Sequence, residues 1–149
     1  MSADYPSMTT AEIRSKFLNF FEERGLKLYP SSSLVPDDPS LLLANAGMNQ
    51  FKEYYQGKKT MKEIGAISCQ KCVRTNDIDC IGEDGRHLSF FEMLGDFSFG
   101  GVSKQQACTW AFELITKEFK LPLDRLYFTV FTEDDETHDV WRSLGVAED

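Results

Sequence analysis

Apolar residues near the start of the chain recur at the spacing of one face of a helix. These positions are Ile13, Phe17, Phe20 and Phe21. Thr9 and Glu12 lie three residues apart, as in a capping box, so we expect the helix to begin just after Thr9. Gly25 is a residue of the type at which helices commonly end. The pattern therefore predicts a well-defined helix ahead of residue 25.

The middle of the chain predicts a hairpin with a long loop. Segments 66–74 and 87–94 have the length and apolar alternation of strands, and the polar stretch 75–85 separates them. Alternation places Cys72 and Arg74 on one face of the first strand. On the second strand, one face would carry His87, Ser89, Phe91 and Met93.

Helices and strands are interspersed along the rest of the chain. Ser103 and Gln106 form a second capping-box pattern, which opens a helix with a buried stripe. The predicted stripe is Cys108, Ala111, Phe112, Ile115 and Phe119. The other predicted elements are an extended piece over 26–29, a turn at 45–48 with a short helix over 49–55, a strand over 126–131 and a helix over 134–144 that ends at Gly145. This order favours an α+β fold with an antiparallel sheet over a doubly wound parallel fold.

Composition narrows the class of protein. The chain has 149 residues, 42% of them hydrophobic and 27% charged, which is typical of a globular domain and excludes wholesale disorder. No apolar run approaches the roughly 20 residues of a membrane span, and the first residues lack the pattern of a signal peptide. A cytoplasmic protein with no membrane association is expected. The formal net charge of −8 argues against general phosphate neutralisation, so any nucleic acid contact must be local.

The four cysteines do not predict a zinc site. Cys69 and Cys72 have the spacing of half a site, and Cys80 and Cys108 follow. On a strand, however, residues three apart point to opposite faces, and there is no second Cys-x-x-Cys or His pair to complete a tetrahedron. We expect packed thiols. The acidic residues Asp77 and Asp79 are likewise not predicted to bind a metal. We interpret them as solvated loop residues.

The hairpin carries the residues of a candidate nucleotide site. Arg74 offers a planar fork for phosphate oxygens, His87 adds a donor, and Phe91 offers a face for stacking on a base. The common glycine-rich phosphate loops are missing from the sequence. From spacing alone the alternative stays open, since an arginine at a strand end is often solvated and a strand phenylalanine is often part of the core.

Several strings, in order, resemble the N-terminal catalytic domain of the alanyl-tRNA synthetase family. They are Ser31-Ser-Ser-Leu-Val-Pro36, Asp38-Pro-Ser-Leu-Leu42, Asn45-Ala-Gly-Met-Asn-Gln-Phe51, Gln70-Lys-Cys-Val-Arg74 and Arg86-His-Leu-Ser-Phe-Phe-Glu-Met-Leu-Gly-Asp-Phe-Ser-Phe-Gly100. Together they extend over about 9–146. The resemblance implies a class II synthetase core, an α+β fold with a mostly antiparallel sheet flanked by helices. It also implies that the enzyme activates alanine with ATP and Mg²⁺ and transfers it to tRNA-Ala.

The resemblance also implies roles for individual residues. Segment 9–36 is similar to motif 1, with Pro30 or Pro36 as the motif proline, and the hairpin is similar to motif 2. In motif 2, Arg74 matches the catalytic arginine that binds the α-phosphate and the activated carboxylate. The ATP-binding positions implied by the match are Arg74, Arg86, His87, Phe91 and Met93.

Two departures from the family pattern affect what we expect of the chain. The loop over 74–82 is short and acidic and lacks a lysine-bearing insert. We therefore expect contacts with tRNA-Ala mainly through regions absent from this chain. Motif 3 and the full alanine pocket are also absent from the 149 residues, so we describe 1–8 as a tail and 9–149 as the N-terminal portion of a class II catalytic domain.

Two hypotheses about function follow from the missing motif. In the first, the chain is the motif 1 and motif 2 part of a longer alanine–tRNA ligase and contains half of the ATP site. In the second, it is a free-standing inactive relative that binds a nucleotide, tRNA or a partner protein. An open sheet edge in a chain of this kind is also expected to promote self-association.

Overall fold

The computed structural model describes residues 7–76 and 78–147. Contacts between Cα atoms divide the chain into two compact units. One unit consists of residues 21–101, and the other consists of residues 1–20 together with 102–149. Within the described residues, the sheet lies in the first unit.

The first helix, α1, spans Thr10–Glu22 and confirms the capping box. The Glu12 carboxylate accepts hydrogen bonds from the backbone N–H and the hydroxyl of Thr9, both at 2.7 Å, and these bonds lower the pKa of Glu12. Gly25 follows the helix with φ +89°, a left-handed conformation that glycine adopts without strain. The aromatic face is buried as predicted, with Phe17, Phe20 and Phe21 each no more than 7% exposed.

The sheet contains three strands in the order β1–β2–β3, with β1 at Lys27–Leu28, β2 at Gly65–Val73 and β3 at Phe90–Ser98. Strands β2 and β3 form the predicted antiparallel hairpin, whereas the two-residue β1 pairs with β2 in parallel. The predicted α+β class with a mostly antiparallel sheet is confirmed, with a short parallel edge that the sequence did not indicate.

The predicted bounds of the second strand, 87–94, were wrong at both ends. The amides of Arg86 and His87 donate to the side chain of Asp84, so the segment before Phe90 forms a turn and not a strand. At the other end the strand continues through Gly95, because glycine makes room for the ring of Phe97. A Cβ at Gly95 would lie 2.6 Å from Cζ of that ring.

An aromatic cluster around Phe51 forms the centre of this unit. The predicted turn and short helix are present as a 3₁₀ helix over Gly47–Phe51 and a one-turn helix, α2, over Lys52–Tyr55. Phe51 is 1% exposed. Its ring lies against those of Tyr29, Phe97 and Phe99, with centroids 5.3, 4.7 and 6.0 Å away. The turn segment is thereby anchored on the sheet.

The second unit contains two further helices, α3 at Lys104–Glu113 and α4 at Asp135–Ser143. The capping box at Ser103 is confirmed, and π-helical turns over Leu114–Glu118 prolong α3. The predicted stripe is only half-buried, and Leu114, which it omitted, is the buried residue. The predicted helix over 134–144 is confirmed as α4, and Asp134 caps it by accepting from the backbone N–H of Thr137 at 3.1 Å.

The predicted strand over 126–131 is not a strand in the structure. Its β-forming residues pair with no other strand among residues 7–76 and 78–147, and strand propensity is expressed only where a partner is present. Phe128 instead packs between Phe112 and Trp141, with centroid distances of 5.9 and 5.0 Å. Tyr127 is 88% exposed.

None of the helices in the described part of the chain combines the length and the apolar character needed to cross a membrane.

Replacing Gly95 with alanine is expected to lower the free energy of unfolding by about 1–3 kcal/mol, because the added methyl overpacks against Phe97. Urea unfolding followed by circular dichroism measures the change. In a Phe97→Leu background the same substitution should cost clearly less, since the obstructing ring is gone. An equal cost in both backgrounds would contradict this explanation.

Candidate functional site

Arg74 and Phe91 lie together at the loop end of the hairpin. Arg74 directly follows β2, and its backbone N–H donates to the carbonyl of Ser89 at 2.9 Å, which continues the ladder. Its guanidinium carbon lies 5.3 Å from the centroid of the Phe91 ring, a cation–π distance. Nε of Arg74 donates to the backbone carbonyl of Asn45 at 3.0 Å. Arg74 itself is exposed, so a ligand can approach the guanidinium.

The register of the hairpin explains which side chains share this face. Cys72 pairs with Phe91, and Gln70 pairs with Met93. Directly opposed residues of an antiparallel pair point to the same side, so these four form one row beneath Arg74. Burial raises the pKa of the Cys72 thiol, although the nearby Arg74 charge acts in the opposite direction. Cys72 is therefore a neutral, packed thiol at neutral pH.

Met93 contacts the turn segment 44–49. Its Sδ accepts a hydrogen bond from the backbone N–H of Gly47 at 3.2 Å. The carboxamide of Asn49 donates to that of Asn45 at 3.1 Å within the same segment. The sequence pattern predicted a turn at 45–48 and a short helix over 49–55, and it did not indicate the contact of Asn45 with Arg74. The available signal was Gly47, since a glycine inside an otherwise ordered segment indicates close backbone approach.

Arg86 and His87 lie on the loop before β3, where Asp84 organises them. Oδ1 of Asp84 accepts from the backbone N–H groups of Arg86 and His87, at 2.9 and 3.1 Å. Oδ2 pairs with Nδ1 of His87 at 2.6 Å. These contacts, the two backbone bonds first, lower the pKa of Asp84 to about 2. Asp84 was not among the site residues predicted from the sequence.

The five predicted site residues thus fall into two groups. The structure brings Arg74, Phe91 and Met93 together around the segment 44–49. It places Arg86 and His87 on the loop, where their polar contacts are to Asp84. In the described residues, neither loop side chain forms a hydrogen bond or ion pair with the first group.

The cysteine and acidic side chains of the described residues do not form a group of metal ligands. Strand β2 places Cys69 and Cys72 at odd and even positions and so on opposite faces, as predicted. Asp79 lies in a short 3₁₀ helix over Ile78–Cys80 and is exposed, whereas Asp77 lies outside the described residues. Across 7–76 and 78–147, no three His, Cys, Asp or Glu side chains are grouped as metal ligands.

Two surface cavities lie outside this site. One, of about 570 Å³, is lined by residues within 32–39 and 49–59, and it contains the ion pair between Lys52 and Asp38. The other, of about 750 Å³, lies in the second unit and is lined by residues within 123–147. Neither is lined by Arg74, Phe91 or Met93.

Comparisons with known proteins place this sequence in a family. The sequence model of the family described as tRNA synthetases class II (A) matches residues 12–149. An alanine–tRNA ligase from Fervidobacterium nodosum is 50% identical over 141 residues, which cover 95% of this chain and 16% of that protein. One from Synechocystis is 51% identical over 147 residues, covering 98% of this chain and 17% of that protein.

A plant organellar protein is equally similar. The chloroplastic/mitochondrial alanine–tRNA ligase of Oryza sativa subsp. indica is 52% identical over 138 residues, covering 92% of this chain and 14% of that protein. The chain thus spans about one sixth of the length of the relatives it matches. The family match includes the hairpin, the segment 44–49 and both later helices. The chain belongs to the class II tRNA synthetase family, as the resemblance of its hairpin implied.

Proposed function

We propose that this chain forms the ATP-binding part of an alanine–tRNA ligase. Such an enzyme first converts alanine and ATP to alanyl-adenylate and pyrophosphate, and then transfers the alanyl group to tRNA-Ala. One observation carries the proposal: an exposed arginine is held over an aromatic ring at the end of the hairpin. The half-identical alanine–tRNA ligases support the choice of amino acid.

The first reaction needs electrostatic stabilisation and alignment more than a general base. The alanine carboxylate is already ionised at neutral pH, and its oxygen attacks the α-phosphorus of ATP. As the new O–P bond forms and the bond to the leaving pyrophosphate breaks, negative charge collects on the phosphorus oxygens. The fork of Arg74 can donate to these oxygens and hold the carboxylate in line. Arg74 is therefore the proposed catalytic residue.

The remaining site residues are proposed to bind the other parts of ATP. Phe91 stacks on adenine, and Met93 borders the same pocket. Arg86 and His87 bind the outer phosphates. Because Nδ1 of His87 pairs with Asp84, its Nε2 is the nitrogen left for a phosphate oxygen. We propose that Asp84 positions the two loop residues by holding their backbone amides.

Other substrates and cofactors are proposed at a coarser level. Mg²⁺ accompanies ATP and neutralises charge on its phosphates, and we assign none of the described residues to the ion. Alanine binds beside Arg74, and tRNA-Ala is expected to contact mainly other regions of a full ligase. The cytoplasmic location stays a prediction, because the relatives include chloroplastic/mitochondrial proteins. Self-association likewise stays a prediction.

Replacing Arg74 with alanine is expected to weaken ATP binding by at least about tenfold, because charge-assisted hydrogen bonds to phosphate are lost. Isothermal titration of the folded chain with MgATP measures this. Lys62→Ala removes the same charge from an exposed position on the same unit and should leave the affinity unchanged. Equal affinities for the wild-type and Arg74→Ala chains would contradict the proposal, as would the absence of ATP binding by a folded wild-type chain.

Alanine-dependent exchange between ATP and pyrophosphate tests the chemistry itself. Exchange that Arg74→Ala abolishes and Lys62→Ala preserves would show that this chain forms the adenylate. ATP binding without exchange would leave it an ATP-binding part whose chemistry requires further segments of a ligase. Exchange of equal rate in the Arg74→Ala variant would contradict the catalytic role of Arg74.

Acid is expected to release the turn around Asp84. Its pKa lies near 2 in the folded chain, below the ordinary value of 3.8, so the carboxylate contributes fully above about pH 4 and the contribution is lost as pH falls through about 2. The amide resonances of Arg86 and His87 should therefore titrate with a midpoint near pH 2. Asp84→Ala should abolish that titration and weaken ATP binding. A midpoint near 3.8 would contradict the role of Asp84.

A further inference from the structure

The segment 44–49 is fixed near the loop end of the hairpin through both strands. From β2, the backbone N–H of Val73 donates to the carbonyl of Ala44 at 2.9 Å. From β3, the sulfur of Met93 accepts from the backbone N–H of Gly47 at 3.2 Å. The two contacts hold the segment against the same face of the sheet that carries Phe91.

Gly47 allows this approach because it lacks a side chain. A Cβ at this position would lie 3.1 Å from Cζ of Phe97 and 3.8 Å from the sulfur of Met93. Gly47 is buried, so its N–H has no access to bulk water. The thioether is then the acceptor that satisfies a buried donor, and removing it leaves that donor unpaired.

The fixed segment determines how Arg74 is presented. The carbonyl of Asn45, two residues before Gly47, accepts from Nε of Arg74 at 3.0 Å. Since a guanidinium is planar, a bond at Nε together with the contact on the Phe91 ring fixes its plane. Among residues 7–76 and 78–147, these are the side-chain contacts of Arg74. The two terminal nitrogens therefore stay available to a ligand.

We propose that Met93 is a positioning residue for Arg74, acting through Gly47 and the carbonyl of Asn45. The hydrogen bond from Gly47 to its sulfur fixes the distance between the segment 44–49 and the hairpin. The carbonyl of Asn45 belongs to that segment, so it fixes the position of the guanidinium in turn. The contribution of the Met93 sulfur to ATP binding thus passes through Arg74, whereas the apolar side chain also borders the adenine pocket. The inference rests on the proposed function, and it deepens the description of that same site.

A double-mutant cycle on ATP affinity separates the two modes of action. Met93→Leu preserves the apolar volume and removes the acceptor, and it should weaken MgATP binding by about threefold to tenfold. In the Arg74→Ala background it should have no further effect, because the residue through which it acts is gone. Met61→Leu makes the same chemical change elsewhere on this unit and should leave the affinity unchanged. Additive losses from Met93→Leu and Arg74→Ala would overturn the proposal and show that Met93 contacts the nucleotide directly.

A measurement without ATP keeps this inference distinct from the proposed function. In an NMR spectrum of the chain alone, the Arg74 Nε–H signal, assigned by its loss in Arg74→Ala, should exchange slowly with solvent. Met93→Leu and Gly47→Ala should each accelerate that exchange, whereas Met61→Leu should not. Unchanged exchange in both variants, with urea unfolding showing that they are folded, would overturn the positioning role. If the wild-type chain bound no ATP, the proposed function would fail, and this exchange measurement would still decide the positioning role.

Discussion

Nine residue pairs join β2 to β3, and the register of these pairs decides where Arg74, Phe91 and Met93 lie. Because Cys72 pairs with Phe91, the aromatic ring lies next to the end of β2. The guanidinium carbon of Arg74, the residue that follows β2, lies 5.3 Å from the centroid of this ring. A slip of one residue would move the whole row of β3 side chains to the other face. Within β3, Gly95 leaves the space that the ring of Phe97 occupies.

The buried carboxamide of Gln70 connects the hairpin to the loops that cover it. Its oxygen accepts from the backbone N–H and hydroxyl of Ser32 and from the side chain of Gln50, at 2.8 to 3.1 Å. Its nitrogen donates to the carbonyls of Ser32 and Lys71. A buried amide with all its bonds satisfied specifies one arrangement of its neighbours, whereas a half-satisfied one would be costly. Gln70 pairs with Met93 across the two strands. The residue that binds the covering loops therefore lies directly opposite a residue of the candidate site.

Local patterns in the sequence predicted the elements whose causes are local. The capping boxes at Thr9 and Ser103 and the hairpin itself follow from short-range spacing, and the structure confirms them. The prediction of a strand over 126–131 was wrong because a strand forms only beside a partner strand, and the sequence pattern does not show whether one is present. The site was only partly predictable for the same reason. Arg74 and Phe91 could be paired by alternation, but the contact with Asn45 joins residues 29 positions apart and depends on tertiary packing.

The position of Arg74 over Phe91 restricts the shape of any bound nucleotide. An aromatic ring has two faces, and the guanidinium covers one of them. While Asn45 holds Arg74 in place, a base can stack only from the opposite side. A nucleotide whose base lies there and whose α-phosphate meets Arg74 must pass around the edge of the ring. Such a nucleotide must therefore be bent. In an extended nucleotide, the phosphates would lie away from the guanidinium, on the side of the ring where the base stacks.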